Sequence, residues 1–175
     1  MRRIVRDTTT TALALTVFAV LAAGVLSGTF TLTRPTIAET ERQAKLALLA
    51  QTLPTDSFDN DLIADRLALA PDPRLGLERP GEAYVARKAG LPVAVVLEVI
   101  APDGYAGDIR LLVGVRADGR VSGVRVTGHR ETPGLGDYIE IGRSPWIRGF
   151  EGRSLADPAP ERWKVRKDGG AFDYM

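Results

Sequence analysis

The 175-residue chain contains no cysteine. That excludes disulfides, thiolate-held iron–sulfur clusters, cysteine zinc sites and a thiol nucleophile. It contains one histidine, His129, which excludes a multi-histidine metal site and a second histidine base. Neither sign of charge dominates: 23 Lys+Arg against 22 Asp+Glu leave a net +1, so there is no electrostatic footprint for nucleic acid. Neither the Walker phosphate loop nor the dinucleotide glycine fingerprint occurs. Aromatics make up only 6%, and Trp146, Phe150 and Trp163 are read as core anchors. An oxygen-ligand metal site, carboxylate chemistry, an organic cofactor, or no chemistry at all remain open. With 45% hydrophobic and 26% charged residues the chain can bury a core. Its length suits one domain with a small extra element.

The extra element stands at the N-terminus. Thr8 to Thr33 carries no charged residue, more than the roughly 20 residues a helix needs to cross a hydrocarbon core. Arg2, Arg3 and Arg6 precede the run, with Asp7 beside them, and Arg34-Pro35 ends it. The arginines place residues 1–7 in the cytoplasm, residues 8–33 in the membrane and residues 34–175 outside. A cleaved signal peptide is the competing reading. Gly24 and Gly28 form a G-x-x-x-G spacing. It is either a small-residue face for close helix contact in lipid or simply part of an Ala/Gly-rich helix.

After Pro35, Thr36-Ile37-Ala38-Glu39 has the capping-box pattern. It predicts a new helix, broken from the first at Pro35 and running to Ala50 or Leu53. Residues 54–81 are rich in proline and aspartate and read as loop with a short helix near Leu62–Leu69. Alternating patterns then predict strands at Ala83–Lys88 and Val93–Ile100, joined through Ala89-Gly90-Leu91-Pro92, and at Ile109–Arg116 and Arg120–Thr127, joined through Ala117-Asp118-Gly119. Gly123 inside a strand marks a bulge or a close backbone approach. Ser144-Pro145-Trp146 reads as an N-cap, a first-turn proline and a short helix, and Arg162–Arg166 as a last strand. The fold class is α+β: a transmembrane helix, then an antiparallel sheet with flanking helices.

The segment Gly128 to Asp137 is the densest unusual stretch. Its glycines allow backbone to approach a ligand, Pro133 stiffens the turn, Thr132 supplies a hydroxyl and Leu135 an apolar wall. A flat, partly apolar ligand with polar edges suits it. It is otherwise a strand-to-helix turn capped by Asp137. His129 and Glu131 alternate, as a base and its orienter would on an extended segment, but no nucleophile motif accompanies them. Asp56-Ser57-Phe58-Asp59-Asn60-Asp61 lacks the glycine and late glutamate of a calcium loop and reads as a solvated loop.

Glu131-Thr132-Pro133-Gly134-Leu135-Gly136 with the preceding His129-Arg130, then Trp146-Ile147, Phe150-x-Gly152-Arg153-Ser154-Leu155 and Lys167-Asp168-Gly169-Gly170-x-Phe172-Asp173, resemble the G subunit of the Rnf (Rsx) ion-translocating electron-transport complex. Gly104-Tyr105-x-Gly107-Asp108-Ile109 with Val113-Gly114-Val115 resembles the wider FMN-binding domain to which that subunit belongs. The C subunit of the sodium-pumping NADH:quinone reductase is a related alternative, and the short run between the sheet and the E-T-P-G-L-G loop fits it less well.

The resemblance implies a flavoprotein subunit of the bacterial inner membrane, its domain in the periplasm. There it relays electrons between other subunits of a complex that couples ferredoxin and NAD redox chemistry to Na⁺ or H⁺ movement. It implies FMN joined through its phosphate to a threonine of a Ser/Thr-Gly-Ala-Thr motif, with Glu131, Thr132, Pro133, Gly134, Leu135 and Gly136 as flavin neighbours. No catalytic residue or metal ligand is assigned. The attachment motif occurs nowhere in the chain, and its threonine is expected just beyond Met175. Without it, a cofactor-less membrane-tethered assembly subunit is the alternative.

Overall fold

The computed structural model describes residues 2–173. They divide into a helical unit ending at Ala44 and a second unit starting at Lys45. Helix α1 spans Arg2–Ala50 and runs through Pro35 without a break, correcting the expected interruption. A proline inside a helix removes one donor and crowds one carbonyl, a local loss that the continuous ladder on either side tolerates. Thr36 therefore caps nothing: it lies inside α1, and its carbonyl accepts from the Thr40 hydroxyl at 2.9 Å. The same back-bonding satisfies Thr16, Thr29, Thr31 and Thr33, each bonded to the carbonyl four residues earlier, as a hydroxyl in an apolar surrounding requires. Thr11–Ala50 contains a stretch long and apolar enough to cross a membrane.

The second unit is built on five antiparallel strands in sequence order: β1 Arg66–Leu69, β2 Gly81–Lys88, β3 Leu91–Ala101, β4 Ile109–Arg116 and β5 Val121–Gly128. The β2–β3 turn is only Ala89-Gly90, with both residues at positive φ, the geometry that matches strand twist. Leu91 and Pro92 belong to β3, and Pro92 faces Arg87 at a register shift, where a missing N–H does least harm. The helix expected over 62–69 is absent. Asp61 Oδ1 accepts from the Ile63 and Ala64 amides to close a turn. Arg66–Leu69 then pairs with Tyr84–Gly81, because an open sheet edge supplies the bonds that four residues cannot make alone.

The core lies between one sheet face and the chain leaving α1. Leu49, Leu53 and Leu62 pack with Tyr84, Ala86, Ala94, Val96 and Leu112. Beyond β5 the expected short helix is a 3-10 helix, Pro145–Phe150, with Ser144 Oγ accepting from the Trp146 amide. Arg162–Arg166 is not a strand. It joins two 3-10 turns, Pro160–Arg162 and Arg166–Asp168, and pairs only through a single Val165–Phe172 bridge. Gly170 lets two backbones pass here, since a Cβ on it would lie 1.8 Å from the Lys164 carbonyl oxygen. Trp146, Phe150 and Trp163 anchor a satellite aromatic cluster with Phe172, at centroid separations of 4.7 to 6.4 Å.

Candidate functional site

The chain leaving β5 turns at His129, whose ring is largely enclosed, at 12% side-chain exposure. Its Nδ1 accepts the Glu131 amide at 3.0 Å. That fixes the proton on Nε2, which donates to Glu140 Oε1 at 2.8 Å. The base–orienter pair considered from the alternation does not form. Glu131 meets His129 through its backbone, and its carboxylate points elsewhere.

Glu131 Oε1 instead accepts the Ala106 amide at 3.1 Å. The carboxylate thereby ties the β3–β4 loop to the segment 131–136. Two glycines make room for it. A Cβ on Gly104 would stand 2.9 Å from Glu131 Oε1, and one on Gly136 would stand 2.8 Å from both Glu131 Cβ and Oε2. Gly136 is thus a glycine because Glu131 packs against it.

The turn itself is closed by the Thr132 carbonyl, which accepts from the Leu135 and Gly136 amides at 3.1 and 2.9 Å. Gly134 has φ +77°, with open space where a Cβ would be, so its demand is conformational rather than steric. Asp137 anchors the turn from below. Only 6% exposed, it accepts the Gly134 amide at 2.8 Å and pairs with Arg143 Nε at 3.3 Å. Asp137 is thus the first residue of a 3-10 turn and not its N-cap, which is Gly136; its carboxylate reaches back to the loop.

The result is a rigid loop with an outward apolar edge. Thr132, Pro133 and Gly134 are exposed, as are Leu135, at 77%, and Tyr105 on the linked loop, at 96%. Beside it opens a cleft of about 430 Å³ lined by Gly107, Asp108, Arg110, Gly128, His129 and Arg130. This size falls in the range of small-ligand sites, and the guanidiniums of Arg110 and Arg130 suit an anionic or polar group. The set fits a flat cofactor with a charged tail. Arg110, Arg130 and Asp108 are lining residues that pattern reading did not single out as site residues. Their signal is the G-x-x-G spacing at 104–107, which gains meaning once Glu131 joins the two loops.

Two family models match the chain. One is described as the RnfG N-terminal region and covers residues 1–52. The other is described as an FMN-binding domain and covers residues 104–173, both linked loops included. Over 164 residues the chain is 48% identical to the G subunit of the ion-translocating oxidoreductase complex of Pseudomonas aeruginosa, an alignment covering 94% of this chain and 77% of that protein. The chain belongs to this G-subunit family. The G subunit of the same complex from Vibrio cholerae is 45% identical over 163 residues, 93% of this chain and 78% of the relative. That of Photorhabdus laumondii is 46% identical over 161 residues, covering 92% and 77%. The region between the two family-model matches, residues 53–103, holds β1 to β3 and the turn capped by Asp61, which supply the sheet carrying the two linked loops.

Proposed function

We propose that this chain holds FMN against the loop Glu131–Gly136 and the neighbouring cleft, and relays electrons within a membrane complex that couples ferredoxin and NAD redox chemistry to Na⁺ or H⁺ translocation. One observation carries the reading. The segment matching the FMN-binding domain contains two loops that Glu131 locks together beside an open cleft of suitable size. When bound, the flavin supplies one- and two-electron redox chemistry; the chain supplies placement and polarity. Thr132, Pro133, Gly134 and Leu135 present the outward edge to it. Glu131 and Gly136 hold that edge in place, and Arg110 and Arg130 offer positive charge. The Ser/Thr-Gly-Ala-Thr attachment motif of the resemblance is not among residues 1–175, so these loop residues are this chain's own contribution.

The arginines before the apolar run support a cytoplasmic N-terminus, a single pass through the inner membrane and a periplasmic domain. Protease added to right-side-out spheroplasts then digests the domain; protection there with digestion in inverted vesicles reverses the orientation.

The flavin reading is tested with Gly134→Val in the assembled complex. A β-branched residue at φ +77° distorts the turn at a cost of roughly 1–2 kcal/mol, a fraction of the roughly 5–15 kcal/mol that usually holds a domain folded. The flavin absorption band at about 450 nm should weaken or shift, and reduction should slow. An unchanged spectrum with unchanged reduction kinetics reduces the segment to a plain turn.

A further inference from the structure

We propose that a second cleft, formed by Arg153, Arg162 and Arg166, is a binding site for a phosphate-bearing anion. The cavity measures about 470 Å³ and also has Asp157, Gly170 and Ala171 in its lining. It shares no residue with the cleft at Arg110 and Arg130, so the inference stands apart from the flavin reading.

Three arginines line it from three separate turns. Arg162 forms no side-chain hydrogen bond or ion pair among the described residues, which leaves all its donors available. Arg153 Nε reaches the Gly149 carbonyl only at 3.4 Å. Arg166 pairs with Asp173 at 2.8 Å, and a guanidinium retains further donors after one such bond. The acidic member, Asp157, has its own cation in Arg120 at 3.5 Å. The lining is therefore positive on balance. Like charges held together repel, and an anion among them removes that penalty.

The frame is rigid. The Arg162 carbonyl accepts from the Ala171 amide at 2.9 Å and the Phe172 carbonyl from the Arg166 amide at 2.7 Å. Between those bonds, Trp163 packs on Phe172 with centroids 5.1 Å apart. Two of the three arginines are thus fixed by backbone and aromatic contacts that do not use their charged ends. Planar guanidinium forks match phosphate oxygens pairwise. The cleft exceeds what orthophosphate alone fills, so the natural occupant is a phosphorylated small molecule or the phosphate of an anionic lipid headgroup.

The test uses the full chain in an uncharged maltoside detergent, titrated calorimetrically with inorganic phosphate. Binding should saturate and weaken with added salt. Arg162→Gln, which breaks no side-chain hydrogen bond or ion pair among the described residues, should reduce affinity about tenfold, the value of one charge-assisted bond. Arg79→Gln, exposed and outside the cleft, should leave it unchanged. Repeating the titration in nanodiscs separates the sources. If the headgroup is the occupant, phosphatidylglycerol discs abolish the phosphate signal while phosphatidylcholine discs keep it. If a free phosphorylated molecule is the occupant, both discs give the detergent result. Absence of saturation in detergent, or equal affinity of Arg162→Gln and the unaltered chain, overturns the proposal.

Discussion

The Ser122 hydroxyl donates to the Thr52 carbonyl at 2.6 Å, fastening the segment that leaves α1 to strand β5. The contact sits over Gly114 and Gly123, which face each other across β4 and β5. A Cβ on Gly114 would lie 2.4 Å from both Ser122 Oγ and the Thr52 carbonyl oxygen; one on Gly123 would lie 2.9 Å from that oxygen. Backbone cannot give way as a flexible side chain can, so Gly114→Ala should destabilise the second unit by about 1–3 kcal/mol, the usual cost of overpacking. Gly142→Ala, with nothing within 4 Å, should stay within about 0.5 kcal/mol. Thermal unfolding of both variants checks this; equal midpoints would show that Thr52 is not seated on the sheet.

Glu131→Ala should loosen two loops at once. It removes the acceptor of the Ala106 amide and the side chain packed against Gly104 and Gly136. The expected cost is about 1–3 kcal/mol. Amide exchange should quicken in residues 104–107 and in 132–136 together, while β2 and β3 stay protected. Faster exchange confined to 132–136 would mean that Glu131 does not couple the loops.

Acid should weaken the cluster at the end of α1. Glu82 Oε2 accepts from the Tyr84 hydroxyl and from Lys45 Nζ, with Arg66 3.3 Å from its other oxygen. The Tyr84 bond first, then the Lys45 bond, hold the Glu82 carboxyl below its ordinary value of 4.5. A carboxyl lowered in the folded state adds stability above its unfolded value, and that stability disappears as pH falls through the lowered one. The unfolding-midpoint difference between the unaltered chain and Glu82→Gln should therefore be full near pH 6 and shrink below about pH 4.5. A difference constant down to about pH 3 would remove Glu82 as the titrating group. Tyr84 stays protonated throughout, because burial first, and then the hydrogen bonds to Glu82 and Glu98, push its phenol far above the ordinary range.

The face bearing Gly24 and Gly28 should be a contact with other subunits. Within this chain nothing lies within 4 Å of a Cβ at either position, so replacing both with leucine meets no internal obstacle. Any loss then reports on a partner. The double variant should insert in the membrane normally yet fail to co-purify with its complex. Undiminished co-purification would place the contact on another face of the helix.

Patterns within a few residues determined much of this protein. The uncharged run from Thr8 to Thr33 marks where α1 is long and apolar enough to cross a membrane. Alternation and glycine turns place β2 to β5 to within about two residues, because side-chain period and turn chemistry are local. The Ser144 cap with Pro145 was legible for the same reason. So was Gly123 as a point of close approach, though not that Thr52 is what approaches it. The remaining features depend on partners distant in sequence. Pro35 stays helical because the ladder continues around it, although the residues beside it carry a start signal. β1 exists because β2 offers an unpaired edge, and Arg162–Arg166 forms no strand because it finds only one bridge. The loop Glu131–Gly136 stood out as a segment, but its rigidity, its link to Ala106 and the clefts lined by Arg110 and Arg162 come from chain crossings. Local sequence carries the conformational preference of each piece; which charges and carbonyls end up within 3 Å of one another is decided only when the pieces pack.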